Sequence, residues 1–357
     1  MTNVPIQTVF ANTRAGTATF VQADGSIATQ TALNTRSKHF INGVPGALFE
    51  KSRITRVLHR RDLANAAWSK TNMTTARTSV GADGATSSAT RITATASNAT
   101  VLQSITHTST ARAMTAYIKR VTGSGTIQMT MDNGTTWTAV TATTAYTRVT
   151  IPTQTLANPV VGFRIVTSGD AIDVDFVQLE DGAFPTSVID GAAGTAVTRL
   201  SDSASVSLSD IVFDAGGGSI FIEGRAYYAT GGSNFPRVFQ IDDGTAGNRL
   251  FLQIVESSSL LRLLISKDGE FTAVESLSYT SGDYFKVGIR YEDDNCVLSL
   301  NGSDSTADTD VTLPTGLTTL RWQTDSAGGG DEAAVHITKF ATYAHEFADA
   351  TLNAETA

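Results

Sequence analysis

Val177-Gln178-Leu179-Glu180-Asp181-Gly182-Ala183-Phe184-Pro185-Thr186-Ser187-Val188-Ile189, followed by Thr195-Ala196-Val197-Thr198-Arg199, decides how this chain is read. It marks the point where one β-domain closes and another opens. On its N-terminal side, Thr-rich stretches alternate with period two, as in Ala113-Met114-Thr115-Ala116-Tyr117-Ile118-Lys119-Arg120 and Tyr146-Thr147-Arg148-Val149-Thr150-Ile151. Such alternation buries one side of each strand. Gly81-Ala82-Asp83-Gly84, Gly123-Ser124-Gly125, Asp132-Asn133-Gly134 and Ser168-Gly169-Asp170 punctuate it at short intervals. Regular strands with such turns and no long helical pattern predict an antiparallel sandwich over residues 56–199.

On the C-terminal side, residues 200–357 are more aliphatic and aromatic. Ser219–Tyr228, Arg237–Ile241 and Leu250–Val255 read as successive strands, and Lys267-Asp268-Gly269-Glu270 as a tight hairpin turn. Tyr284–Tyr291, the turn Glu292-Asp293-Asp294-Asn295 and Cys296–Gly302 form a further hairpin. Val335–Tyr343 reads as the last strand and Ala348–Leu352 as a short helical turn. Residues 1–55 hold short β-like pieces around Ala23-Asp24-Gly25-Ser26 and Asn42-Gly43-Val44-Pro45-Gly46, and read as an extended N-terminal adaptor separable from both sandwiches. The predicted fold is all-β: two antiparallel sandwiches, or jelly rolls, in tandem behind that adaptor.

These residues carry a resemblance. The run from Val177 to Ile189 with Val197-Thr198-Arg199 resembles a segment of tailed-phage virion proteins between a jelly-roll carbohydrate-binding module and a concanavalin-like sandwich. Leu63–Lys70 and Ile172–Glu180 are similar to the first and last strands of such modules. The hairpin of Tyr284–Tyr291 and Cys296–Gly302, with its Leu298-Ser299-Leu300-Asn301-Gly302 ending, looks like the central hairpin of laminin-G and concanavalin-like lectin domains. The resemblance implies a head spike or, as the second choice, a tail fibre, because no long shaft sequence is present. It further implies a non-enzymatic protein on the virion surface that binds bacterial surface polysaccharide, contacts capsid or tail proteins, and forms a homo-oligomer, a trimer first. A glycan-degrading enzyme and a ligand-free capsid cement protein are the competing classes.

Composition narrows the choice. The 357 residues include 41% hydrophobic residues, which suffices for two packed cores. Cys296 is the only cysteine, so an internal disulfide framework and a thiolate zinc site are excluded. No run of about 18 apolar residues exists, and no membrane insertion is expected. Met1-Thr2-Asn3-Val4-Pro5 has no signal-peptide pattern, which fits synthesis in the host cytoplasm. Basic and acidic residues number eight and two over 1–61, nine and nine over 62–200, and nine and 23 over 201–357. The dispersed basic arm does not suit nucleic acid. Docking of a basic base on an acidic partner surface is the reading that its charge supports.

Little in the sequence points to chemistry. A glycosidase needs two carboxylates about 5–9.5 Å apart, and concanavalin-like hydrolases supply them from an E-x-D-x-x-E strand that is missing here. Asp173-Val174-Asp175, with Glu180 beyond, is the nearest pair, and in jelly-roll modules such acids support a structural calcium or fix a turn. Calcium is thus the one ion considered, with Asp173, Asp175 and Glu180 as ligands; no other cofactor is expected. His39, His59, His107, His336 and His345 have no metal spacing, and Gly216–Gly218 and Gly328–Gly330 lack the Lys-Ser/Thr of a phosphate loop. Glycan recognition wants aromatic faces and planar polar groups. The candidates are Trp137 in the first sandwich, and Tyr227, Tyr228, Phe235, Arg237, Asp242, Asp243 and Trp322 in the second, while Trp68 is assigned to the core.

Overall fold

The computed structural model describes residues 11–13, 17–30, 36–323 and 333–357, so the Gly328–Gly330 run lies outside the described residues. The molecule is all-β, with strands paired antiparallel in every named sheet. The chain divides into two compact units: Thr17–Gln30 with Ser52–Arg199, and Thr31–Lys51 and Leu200–Ala357 with the strand Ala11–Thr13.

The first unit is a sandwich. One sheet runs in the order Thr138–Val140, Ile127–Thr130, Val160–Ile165, Ala99–Ser104, Ser69–Thr71. In the other, the long strand Ala171–Asp181 pairs with Thr110–Thr122 on one side, and with Ala89–Ala94 and Arg53–Thr55 on the other. Alternate residues Ile172, Val174, Val177 and Leu179 enter a core with Trp68, Met114, Ile118, Val101 and Phe163. The phase of that alternation slips at Phe176, whose φ of 45° is a left-handed conformation uncommon for an aromatic residue. A register shift opposite it, between Thr115 and Tyr117, marks the bulge.

The predicted opening strand Leu63–Lys70 is instead a chain of turns, with strand beginning at Ser69. The reason is local: the Asp62 and Asn65 carboxylate and amide oxygens accept hydrogen bonds from the backbone N–H groups of Ala64 (3.2 Å) and Ala67 (2.9 Å), which closes turns rather than leaving the chain extended. Trp68 nonetheless reaches the core as assigned, 1% exposed.

The second unit is also a sandwich. One sheet contains Ser203–Ser207, Thr319–Trp322, Arg237–Asp242, Arg249–Val255, Leu260–Lys267 and Glu270–Ser278 in that order. The facing sheet contains Val297–Leu300, Tyr284–Glu292, Gly217–Tyr227, Ala334–Tyr343, Val44–Glu50 and Arg36–Ile41. The hairpins read from sequence are present. Asp268 and Gly269 take φ of 51° and 93°, the doubly positive pattern of a two-residue hairpin turn, and Tyr284–Glu292 pairs with Val297–Leu300 across the predicted turn at residues 292–295; Asn301 and Gly302, read as the end of a strand, take 49° and 77° and close a further hairpin. Phe49, Ile220, Ile222, Leu252, Leu263, Phe285, Leu320 and Trp322 form the core between the sheets.

Residues 1–55 are not a separable adaptor where they are described. The hairpin Ala18–Val21 and Ile27–Gln30 belongs to the first unit, tied by the Thr19 hydroxyl to the Val188 carbonyl at 2.6 Å. Val44–Glu50 is an inner strand of the second, registered on Ala334–Ile337, and its Phe49 ring stacks on Trp322 at 5.6 Å and 3°. A strand whose last five residues are all buried completes a sheet rather than trailing in water. The basic residues of this region are likewise internal in part: Arg53 and Arg60 are buried, and Arg56 and Arg61 pair with Asp181 and Asp175. These four side chains are engaged within the first unit. Deleting residues 1–55 is expected to abolish cooperative unfolding of the second unit, and calorimetry of the truncated chain beside the full one checks it.

Candidate binding pocket

The carboxylates singled out from the sequence are structural. Asp173 is fully buried and accepts hydrogen bonds from the Ser79 hydroxyl (2.6 Å) and Arg91 Nε (2.9 Å), with the Lys119 ammonium 3.2 Å away. Burial works against its ionisation, but the bonds from Arg91, Ser79 and Lys119 outweigh it and hold the carboxyl below its usual range. Asp175, also fully buried, is gripped by Arg61 at 2.8 and 3.0 Å and by the Ala82 and Phe176 amides, both at 2.9 Å. Glu180 accepts from Gln178 Nε2 (2.6 Å), the Thr186 amide (2.9 Å) and the Thr186 hydroxyl. These oxygens already hold N–H and O–H donors, and no group of three or more His, Cys, Asp or Glu among the described residues is arranged for a metal ion. Among the described residues, Asp173, Asp175 and Glu180 are thus not grouped as metal ligands.

Several of the predicted glycan contacts also belong to the framework. Trp322 is 0% exposed, packed among Phe49, Phe239 and Phe340, and Tyr228 is 2% exposed with its hydroxyl donated to the Tyr279 carbonyl at 2.7 Å. Strand parity could not tell these inward faces from outward ones. Asp242 is buried and fixed by Gln240 (2.9 Å), Arg321 (3.0 Å) and the Gly244 amide (2.8 Å). Asp243 closes a turn onto Thr245 and Asn248, and the Thr245 hydrogen bond holds its carboxyl below the ordinary range. Arg237 lies over the Phe251 ring at 3.7 Å, and Phe235 is 46% exposed. Tyr227 is half-buried against Gly282, where the φ of 86° and the ring's closeness both require glycine. In the first unit Trp137 is half-buried: its Nε1 edge packs on Gly134, and the Arg164 guanidinium, itself bonded to Gln128 at 2.7 Å, lies over its ring at 4.4 Å.

A pocket of about 480 Å³ forms elsewhere in the second unit, and none of those eight residues lines it. Its wall is the end of the strand Ala334–Tyr343, the segment that follows, and the C-terminal helix Asp349–Thr356. The helix is fastened to the outer face of the sheet by Leu352, fully buried against Phe221 and Val297, and by Thr356, whose hydroxyl meets that of Ser299 at 2.8 Å. Arg290 joins Asp349 at 2.5 Å and donates to the Phe347 carbonyl at 3.3 Å, while the Phe347 amide donates to Ser219 Oγ at 2.9 Å. The segment between strand and helix is therefore held at both ends.

That hold assembles aromatic rings at the pocket. Phe221 and Tyr343 meet edge to face at 5.9 Å, Tyr343 and Phe347 at 5.0 Å, and His345 and Phe347 at 4.6 Å. Thr342, Lys339 and Glu355 supply polar groups beside them. Lys339 Nζ lies 2.9 Å from Glu223 Oε1, and that bond raises the ammonium above its ordinary range. Apolar ring faces with a few polar groups suit a ligand that has a C–H surface and hydroxyls. The sequence signal was Tyr343-Ala344-His345-Glu346-Phe347, aromatic at every second position past the last strand's core. Reading Tyr343 as the end of the last strand passes over it.

No protein-family model matches the chain, and no curated protein does. Among solved structures it is similar to one of botulinum neurotoxin type C, titled for its cell entry through two ganglioside molecules, at 14% identity and a TM-score of 0.35 over 43% of this chain and 39% of that one. The botulinum neurotoxin serotype D/C VPI 5993 binding domain gives 16%, 0.35, 43% and 40%. A Ruminococcus gnavus IT-sialidase CBM40 bound to α2,3-sialyllactose gives 15%, 0.33, 40% and 83%. The chain thus spans about two fifths of the neurotoxin chains, and likenesses this distant carry no argument about function.

Two outcomes follow for stability. Trp322→Ala should cost about 3–5 kcal/mol, the range for emptying a buried aromatic site, and Trp137→Ala clearly less, as urea unfolding of both variants would show. Because the folded Asp173 pKa is depressed, its contribution is present above the unfolded value of about 3.9 and lost as pH falls through the lower folded value. The melting-temperature advantage of the native chain over Asp173→Asn should accordingly shrink below about pH 4.

Proposed function

We propose that this protein is a non-enzymatic glycan-binding protein on the outside of a phage-like particle. The observation that carries the binding reading is the pocket of Phe221, Tyr343, His345 and Phe347 with Lys339 and Glu355. Its volume of about 480 Å³ falls within the roughly 300–1,000 Å³ of small-ligand sites, enough for one or two sugar rings. The absence of catalysis is supported by the carboxylates themselves. Asp173 and Asp175 are fully buried in ion pairs, so neither can present a proton to a glycosidic oxygen. Glu355 is the single carboxylate among the residues lining the pocket, where a glycosidase would need two.

The virion reading is supported by the resemblance of residues 177–199 to phage surface proteins. A head spike comes first and a tail fibre second. In this reading the N-terminal part of the chain contacts capsid or tail proteins, and a trimer multiplies weak sugar affinity through avidity. Bacterial surface polysaccharide is the partner at the pocket.

Tyr343→Ala and His345→Ala change half-exposed and exposed side chains, so both variants should keep the native melting temperature within a few degrees. Each should weaken binding on a glycan array at least about tenfold, the loss of one anchor of roughly 1.4 kcal/mol. Immunogold labelling of purified particles tests location: gold on capsid or tail supports the virion reading, and unlabelled particles overturn it.

A further inference from the structure

We infer that the pocket selects uncharged sugars and rejects acidic ones; this rests on the glycan-binding reading above. A sialic acid, uronate, sulfate or phosphate sugar brings a full negative charge that must meet a cation when it leaves water. Among the described residues lining the pocket, Lys339 is the one ammonium or guanidinium, and its charge is already matched by Glu223 at 2.9 Å. Recruiting Lys339 for an anion would leave Glu223 to repel that same anion.

The other charges point the same way. Glu355 lines the pocket, and Glu346 is exposed between the ring-bearing residues His345 and Phe347. The nearby Arg290 guanidinium is engaged with Asp349, the Asn295 side chain and the Phe347 carbonyl. Across residues 31–51 and 200–357 of this unit, 24 acidic residues stand against 12 basic ones, so the net charge of the unit opposes the approach of an anion as well. Neutral sugars meet none of these terms. Their C–H faces can lie on Tyr343 or Phe347, while Glu355 accepts from hydroxyls and Thr342 donates or accepts.

The test uses the full chain and matched probes: neutral oligomers of glucose, galactose, mannose and N-acetylglucosamine, beside sialyllactose and an oligogalacturonate, by saturation-transfer NMR and titration calorimetry. The expected result is binding of at least one neutral probe, with acidic probes at least about tenfold weaker. Raising ionic strength, or Glu355→Gln, should narrow that gap, because each removes part of the repulsion. Tighter binding of an acidic probe, lost in Lys339→Met, would overturn the selectivity and leave the glycan-binding reading intact. Binding of no probe would overturn both.

Discussion

The Arg61 guanidinium holds the first sandwich in its shape. It donates to both oxygens of the buried Asp175, to both oxygens of Asp83 and to the Ser88 hydroxyl, and it lies 3.9 Å over the Phe176 ring. Residues 171–180 of the strand Ala171–Asp181 are buried on both faces, so Asp173 and Asp175 are cut off from water and are met by cations. Arg91 and Lys119 serve Asp173; Arg56 and Arg112 serve Asp181. Such pairs add little net stability against an apolar alternative, but removing one partner leaves a charge stranded in a low dielectric. The order of the strand and of what covers it therefore goes together.

The same arithmetic explains the stretch from Glu180 to Ile189. Glu180 folds the following turn back through the Thr186 amide and hydroxyl, Arg53 donates to the Asp181 carbonyl at 2.5 Å and stacks on Phe184, and Arg199 reaches Thr186 at 2.9 Å. Gly182 has a φ of 145°, and a side chain there would collide with Arg53. The motif that resembles phage surface proteins is thus a structural clasp. Its residues are accounted for by folding and leave binding to be sought elsewhere.

In the second unit the organising contact is apolar. Phe49, from a strand far upstream, stacks on Trp322 and shares a core with strands that begin some 150 residues later. The outer face of the same sheet carries the C-terminal helix, and the pocket exists because Leu352, Thr356 and Arg290 pin that helix and the segment before it. Core and pocket lie on opposite faces of one set of strands, which lets a rigid sandwich present aromatic rings without exposing its interior.

Local chemistry determined much of this protein from sequence alone. Period-two alternation and Gly, Asn and Asp turns fix strands and hairpins over a few residues, so the all-β class, the two sandwiches, the hairpins at Asp268-Gly269 and at residues 292–295 and the core role of Trp68 were legible. Turn chemistry also misled, where Asp62 and Asn65 closed turns in a stretch read as strand. What only tertiary structure decided was partnership. Which strand completes which sheet sent Val44–Glu50 into the second unit. Which face of a strand points inward put Trp322 and Tyr228 in the core. Which acids meet arginines made Asp173, Asp175 and Asp242 structural. The pocket of Tyr343, His345 and Phe347 needed a helix from the chain's end to be packed beside a strand. Such contacts join residues distant in sequence, and no periodicity of one strand encodes them.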